Sequence, residues 1–168
     1  MVTFISASTS EIDYQPCDYD VEQVYCWNVR SEQVLEAFQR NRNNTKVESL
    51  TLELMDDMTD EIAGEIFSII ASASVDNLHG IYLSQLEKVA KLPEAVRKFK
   101  NLQYVFITNI KGITTLPSGS MTFAKSPYIY LMSTHLEVIE PGAFQGNTIA
   151  ELFLHFSFYW IPQICFQL

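Results

Sequence analysis

Apolar positions repeat with a period of 24 residues through the middle of the chain. The segments 77–93 and 101–117 share the pattern N-L-x-x-h-x-h-x-x-h-x-x-h-x-x-L-P, in which h is an apolar residue. The h-x-h alternation is typical of a β-strand with one buried face, and the later apolar positions predict a turn that returns beneath it. One such unit cannot bury its apolar edge alone, so we expect neighbouring units to stack.

The pattern extends beyond these two units. Downstream, strands are predicted at Ile129-x-Leu131 and Ile149-x-x-Leu152-x-Leu154, and Phe144 is predicted to plug the turn between them. Upstream, a strand is predicted from Val47 to Leu54, in the pattern Val-x-x-Leu-x-Leu-x-Leu. A period of 20–29 residues with an L-x-x-L-x-L core is the signature of leucine-rich repeats.

The first predicted turn is longer than the others, with 31 residues from Leu50 to Ile81. We expect the extra residues of this turn to form a helix. Thr59 or Asp60 is predicted to cap its start, and Glu61 places a negative charge in its first turn. Its apolar stripe has roughly helical spacing and comprises Ile62, Ile66, Phe67, Ile69 and Ile70.

The predicted fold class is therefore α/β: a leucine-rich repeat solenoid with a parallel, concave sheet of about five strands and short convex-side helices such as Glu94–Phe99. The chain is predicted to have four segments: residues 1–9, disordered or a leader remnant; 10–46, an amino-terminal cap; 47–155, the repeats; and 156–168, an uncharged apolar tail that is interpreted as aberrant or truncated.

The outward strand positions predict the binding surface. Because side chains alternate between the two faces of a strand, the middle outward position holds Thr51, Tyr82, Phe106, Tyr130 and Phe153, and its neighbours include Tyr104, Tyr128 and Met132. Tyr, Phe and Met are enriched at protein interfaces. Aromatic neighbours also stabilise a sheet by stacking, so a structural role is the alternative. The predicted partner-binding residues are Tyr82, Tyr104, Phe106, Tyr128, Tyr130, Met132 and Phe153.

Cys17 and Cys26 precede the first repeat, and Cys165 lies in the tail. A disulfide between Cys17 and Cys26 would close a short loop over the open edge of the stack. Two buried thiols in a reduced protein are the alternative. Cys165 is predicted to lack a partner.

The cap and the repeats together resemble a family, the secreted leucine-rich repeat proteins of arthropods, which includes the non-catalytic subunit of shrimp luciferase. The resemblance covers about residues 10–155 and rests on Ile12-x-x-x-Pro16-Cys17, Cys26, Val34-Leu35-x-x-Phe38 and Gly142-Ala143-Phe144-x-Gly146. It implies a non-enzymatic, extracellular binding or scaffolding protein. A glycosylation sequon, Asn43-Asn44-Thr45, fits that setting.

Composition and motifs limit the remaining functions. The net charge of −9 argues against nucleic acid as a partner, and no segment is apolar for long enough to predict a membrane span. We find no motif for an enzyme, a cofactor or a metal; Asp56, Asp57, Asp60 and Glu61 are expected to form a solvated loop and helix start rather than a calcium site. The predicted function is non-catalytic protein binding or self-association, extracellular or alternatively cytoplasmic, with a stabilising accessory subunit as the second hypothesis.

Overall fold

The computed structural model describes residues 12–20, 22–43, 46–73, 75–123, 127–145 and 151–156. These residues form a mixed α/β fold with a mostly parallel sheet. Two α-helices and one 3-10 helix, Glu94–Lys98, accompany the strands. The α-helices and strands are β1 (Asp18–Asp20), β2 (Gln23–Trp27), α1 (Ser31–Arg40), β3 (Ser49–Glu53), α2 (Asp60–Ala73), β4 (Gly80–Ser84), β5 (Tyr104–Thr108), β6 (Thr115–Leu116), β7 (Tyr128–Thr134), β8 (Val138–Ile139) and β9 (Glu151–Phe156).

Seven strands form the main sheet in the order β1-β2-β3-β4-β5-β7-β9. The β1–β2 pair is antiparallel and every later pair is parallel. The chain therefore adds one strand at a time along the sheet, as the repeat pattern predicted. A small parallel pair, β6 with β8, lies in the turns that follow β5 and β7.

The pairing register matches the sequence period. Gly80 pairs with Tyr104, and Tyr104 pairs with Tyr128, so each step along the sheet is one period of 24 residues. The alternate strand residues at the apolar positions, such as Leu50, Ile81 and Val105, are fully buried. All five strands predicted from the repeats are present, and Leu50, Leu52, Leu152 and Leu154 are among their apolar residues that face the core or pack against it. The prediction was wrong for Leu54, which follows β3 with a left-handed backbone and is exposed, and Ile149 lies outside the described residues.

The helix predicted in the long turn is α2. It begins at Asp60, and the Thr59 side-chain oxygen accepts a hydrogen bond from the Ile62 amide at 3.3 Å, which confirms Thr59 as its cap. Ile66, Phe67 and Ile70 of the predicted stripe are buried, whereas Ile62 and Ile69 are partly buried. The predicted helix at Glu94–Phe99 is the 3-10 helix, which packs against α2 through the Phe67–Phe99 ring contact.

The segment predicted as a cap contributes more than a closed loop. Residues 18–27 form the β1–β2 hairpin, and β2 joins the parallel sheet beside β3. The sheet is therefore longer than the five strands that the repeats predicted. Val24 and Cys26 of β2 are buried, and α1 packs Val34, Ala37 and Phe38 against the same core.

The residue that follows each of four neighbouring strands has a left-handed backbone. Asn28, Leu54, Gln85 and Asn109 follow β2, β3, β4 and β5 and have φ angles of 52–55°. Each donates its amide hydrogen to a carbonyl near the end of the neighbouring strand in the sheet, at 3.0–3.1 Å. This repeated bond fixes where each strand ends relative to the next, and it keeps the outward side chains in rows.

Candidate functional site

The candidate site is the sheet face opposite the buried core, which we call the open face. The strand register places its side chains in three rows. The central row holds Tyr25, Thr51, Tyr82, Phe106, Tyr130 and Phe153. The row nearer the strand starts holds Gln23, Ser49, Gly80, Tyr104, Tyr128 and Glu151. The row nearer the strand ends holds Trp27, Glu53, Ser84, Thr108, Met132 and His155.

Aromatic rings contact one another along two of these rows. In the central row, the ring centroids of Phe106 and Tyr130 are 4.4 Å apart with an interplanar angle of 4°. Tyr82 and Phe153 extend this row on either side, with centroid distances of 6.1 and 5.9 Å to their neighbours. In the adjacent row, Tyr104 stacks on Tyr128 at 5.5 Å. We call these rings the aromatic stack; it contains all the predicted partner-binding residues except Met132, which lies beside it on β7.

Stacking does not remove these side chains from water. Tyr104, Tyr128, Met132 and Phe153 keep 36–45% of their surface exposed. Tyr82, Phe106 and Tyr130 are half-buried between their neighbours. The stack therefore combines ring contacts within the sheet with a continuous, partly exposed apolar surface.

Two open-face aromatics were not predicted from the sequence. Tyr25 and Trp27 lie on β2, and their side chains are 40% and 51% exposed. Tyr25 is in register with Thr51, and Trp27 with Glu53. The Val24-x-Cys26 alternation, with exposed residues between buried ones, was the available signal, because it has the period of a half-buried strand.

The open face carries negative but no positive side chains along its strands. Asp18 and Asp20 of β1 pair with Tyr25 and Gln23 and so share their face. Together with Glu53 and Glu151 they are the charged residues at outward positions of the described strands, none of which is Lys or Arg.

Two phenols on this face hold their protons more tightly than usual. Partial burial raises the pKa of Tyr25, and the hydrogen bond that its hydroxyl donates to Glu53 Oε2 at 3.2 Å raises it further. Burial also raises the pKa of Tyr130, with a smaller contribution from Glu151. Both side chains are therefore neutral hydrogen-bond donors at physiological pH.

Cys17 and Cys26 are at disulfide distance, with sulfur atoms 2.05 Å apart and Cα atoms 4.4 Å apart. The pair joins the start of the hairpin to β2. Asn43 is exposed after α1, whereas Asn44 and Thr45 of its sequon lie outside the described residues. Cys165, residues 1–9 and residues 157–168 also lie outside them, so the predictions made there stay predictions.

Two residues of the acidic segment at positions 56–61, which was predicted to be a solvated loop and helix start, have hydrogen-bond partners elsewhere in the fold. Asp57 Oδ1 accepts the Ser31 amide at 3.1 Å and so caps the start of α1, which has no side-chain cap of its own. Asp60 Oδ1 accepts the amides of Ala90 and Lys91 at 2.8 and 3.2 Å. Each carboxylate therefore ties one turn of the chain to another.

Comparison of the chain with protein-family models, curated proteins and solved structures finds no match. None of the helices in the described part of the chain is long and apolar enough to span a lipid bilayer.

Proposed function

We propose that the chain is an extracellular leucine-rich repeat solenoid that binds another protein, without catalysis, through the open face. The observation that carries this proposal is the aromatic stack, because its exposed rings form one apolar surface across β4, β5, β7 and β9. The 24-residue register and the repeated left-handed strand exits support the solenoid. The Cys17–Cys26 pair favours an oxidising compartment.

The exposed area of the stack is large enough to matter for binding. A buried aromatic side chain removes about 150–250 Å² from water. Tyr104, Tyr128 and Phe153 of the stack are 38–45% exposed, and Met132 beside the stack is 36% exposed. Together these side chains leave on the order of 300 Å² in contact with water, which is in the range of the largest patch on a typical monomer. At about 25 cal/mol per Å², covering it contributes roughly 8 kcal/mol before the cost of association. The stack would therefore form the core of an interface whose rim adds polar contacts.

The test is capture of a partner from the native source, followed by titration of that purified partner with matched variants. Triple alanine substitution at Tyr82, Phe106 and Tyr130 should abolish binding by the folded chain. Because these rings also stabilise the sheet, a second variant, Tyr104→Ala with Tyr128→Ala, removes only the more exposed pair and should weaken binding at least tenfold.

The control variant is Gln33→Ala with Glu36→Ala, which removes two exposed side chains of α1. It should bind like the unmodified chain. Unchanged affinity in both open-face variants, with folding verified by circular dichroism, would show that the binding surface lies elsewhere.

A stable accessory subunit is the second candidate, and the exposed apolar area of the stack also favours it, since obligate interfaces are more apolar than transient ones. Co-purification of a partner at fixed stoichiometry that survives dilution would favour this role over reversible binding.

A further inference from the structure

The two ends of the open face differ in chemistry. The aromatic stack occupies β4, β5, β7 and β9, where the rings contact one another. At the other end, on β1 to β3, exposed Tyr25 and Trp27 alternate with carboxylates rather than with more rings. Those carboxylates are Asp18, Asp20 and Glu53. We call this end of the open face the acidic end.

The acidic end combines two features that attract cations. Trp and Tyr rings present a negative face to an ammonium or guanidinium group, and Trp27 and Tyr25 are among the most exposed aromatics of the described chain. Glu53 lies beside both, in register with Trp27 and hydrogen-bonded by the Tyr25 hydroxyl at 3.2 Å. No lysine or arginine occupies an outward position of the described strands to neutralise it.

Small side chains separate the acidic end from the stack. Ser49 of β3 pairs with Gly80 of β4, which has no side chain, and Thr51 pairs with Tyr82 of the stack. A Cβ atom at Gly80 would lie 3.3 Å from Ser49 Oγ. A bound polypeptide therefore meets small side chains at Ser49, Thr51 and Gly80, between the exposed rings of β2 and those of the stack.

We propose that the partner segment is both cationic and apolar: an arginine or lysine docks against Tyr25, Trp27 and Glu53, and an apolar side chain of the same segment packs on the aromatic stack. This proposal rests on the protein-binding function proposed above and adds the chemistry of the partner. Charge complementarity selects the cation, since the net charge of the chain is −9 and the formal charges at outward positions of the described strands are all negative.

The same charges argue against a second copy of the chain as the occupant. When two open faces pack together, the acidic end of one copy faces either the acidic end or the Glu151 end of the other, according to their relative orientation. Like charges across an interface are unfavourable, and no strand cation is available on this face to offset them.

The sheet sets the spacing that the partner needs. Strands are about 4.8 Å apart, so β2 lies roughly 14 Å from β5 and roughly 19 Å from β7 in the observed strand order. An extended chain rises about 3.3 Å per residue. A segment that crosses the strands therefore carries its cationic residue about four to six residues from its apolar anchor.

The experiment is selection of random 12-residue peptides by phage display on the full chain, followed by affinity measurement with synthetic copies of the enriched peptides. Four forms of the protein are compared: unmodified, Glu53→Gln, Tyr104→Ala with Tyr128→Ala, and the control Glu36→Gln on α1. Glu53→Gln removes the charge but keeps an acceptor for Tyr25. Circular dichroism and thermal unfolding establish that each form is folded.

We expect the enriched peptides to carry Arg or Lys four to six residues from an aromatic or aliphatic residue. Their affinity should fall at least fivefold in Glu53→Gln, fall further in the Tyr104/Tyr128 variant, and stay unchanged in Glu36→Gln. It should also weaken as the salt concentration rises, because exposed charges are screened.

Two other results separate the proposals. Peptides that lose affinity in the Tyr104/Tyr128 variant but are neutral or acidic and insensitive to Glu53→Gln would overturn the cationic partner and leave the protein-binding function standing. A concentration-dependent dimer that the Tyr104/Tyr128 variant abolishes would do the same and identify a second copy as the occupant. Peptides indifferent to every open-face variant, or no enrichment at all, would overturn both.

Discussion

The left-handed residues that follow β2, β3, β4 and β5 allow a direct test of the repeat geometry. Four equivalent positions hold Asn28, Leu54, Gln85 and Asn109, all with φ near 52–55°. Asparagine adopts this conformation more readily than other residues with a side chain, whereas glutamine has no such advantage. Gln85 is exposed, so its replacement removes little packing. We therefore predict that Gln85→Asn stabilises the chain and that Asn109→Gln destabilises it.

The expected magnitude follows from the backbone alone. A left-handed conformation costs an ordinary residue about 1–2 kcal/mol, and asparagine less, so each exchange should change the free energy of unfolding by about 0.5–1 kcal/mol, with opposite signs at Gln85 and Asn109. For a chain of 168 residues, that corresponds to a shift in melting temperature of about 1–4 °C. Gln85→Gly should give a smaller gain, because glycine loses more backbone entropy on folding.

The assay is urea unfolding followed by circular dichroism, in which stability changes appear as a shifted midpoint with an unchanged slope. Both exchanges leave the amide that donates to the next strand in place. If Gln85→Asn and Asn109→Gln were both neutral, or if Gln85→Asn were destabilising, these two positions would not be equivalent left-handed strand exits and the proposed register of the open-face rows would lose its support.

Three further predictions concern other parts of the fold. Replacement of Cys17 and Cys26 by serine should lower the free energy of unfolding by about 2–3 kcal/mol, because the unfolded chain is no longer constrained by a loop closed between residues nine positions apart. A reductant should produce the same loss in the unmodified chain. The pKa of Tyr25 is raised in the folded chain, so the unfolded chain loses the phenol proton at lower pH. The free energy of unfolding should therefore fall as pH rises through and above about 10. At equal temperature, this fall should be smaller in Tyr25→Phe. Deletion of residues 104–127 removes one full period and should leave a chain that still unfolds cooperatively. Deletion of residues 104–115 removes half a period and should abolish cooperative unfolding. Thermal unfolding followed by circular dichroism measures the difference.

The repeat strands could be predicted because burial fixes their composition. Positions such as Leu50, Ile81 and Val105 face the core, so the fold requires apolar side chains there at a fixed spacing. The helix α2 followed from its own apolar stripe and from Thr59. These features depend on residues close in sequence, so a periodic pattern was enough to locate them.

Other features depend on contacts that a periodic pattern does not encode. Strand β2 is the second strand of a short hairpin. Its Cys26, together with Cys17, suggested only a closed loop, so the outward positions of Tyr25 and Trp27 were missed. The left-handed exits hold Asn, Leu and Gln, which do not form a recurring motif in the sequence. Asp57 acts on Ser31, which is 26 residues away in sequence, and only the folded chain brings the two together.

The central claim, that the open face binds a protein partner, is tested most directly by site-specific photocrosslinking. A benzophenone amino acid is incorporated in place of Tyr104 on the open face or of Glu36 on α1, both of which are exposed. After ultraviolet irradiation with the captured partner, the covalent adduct is quantified by mass spectrometry. We expect an adduct from position 104 and little or none from position 36. Crosslinking from position 36 with none from position 104 would show that the partner does not bind the open face.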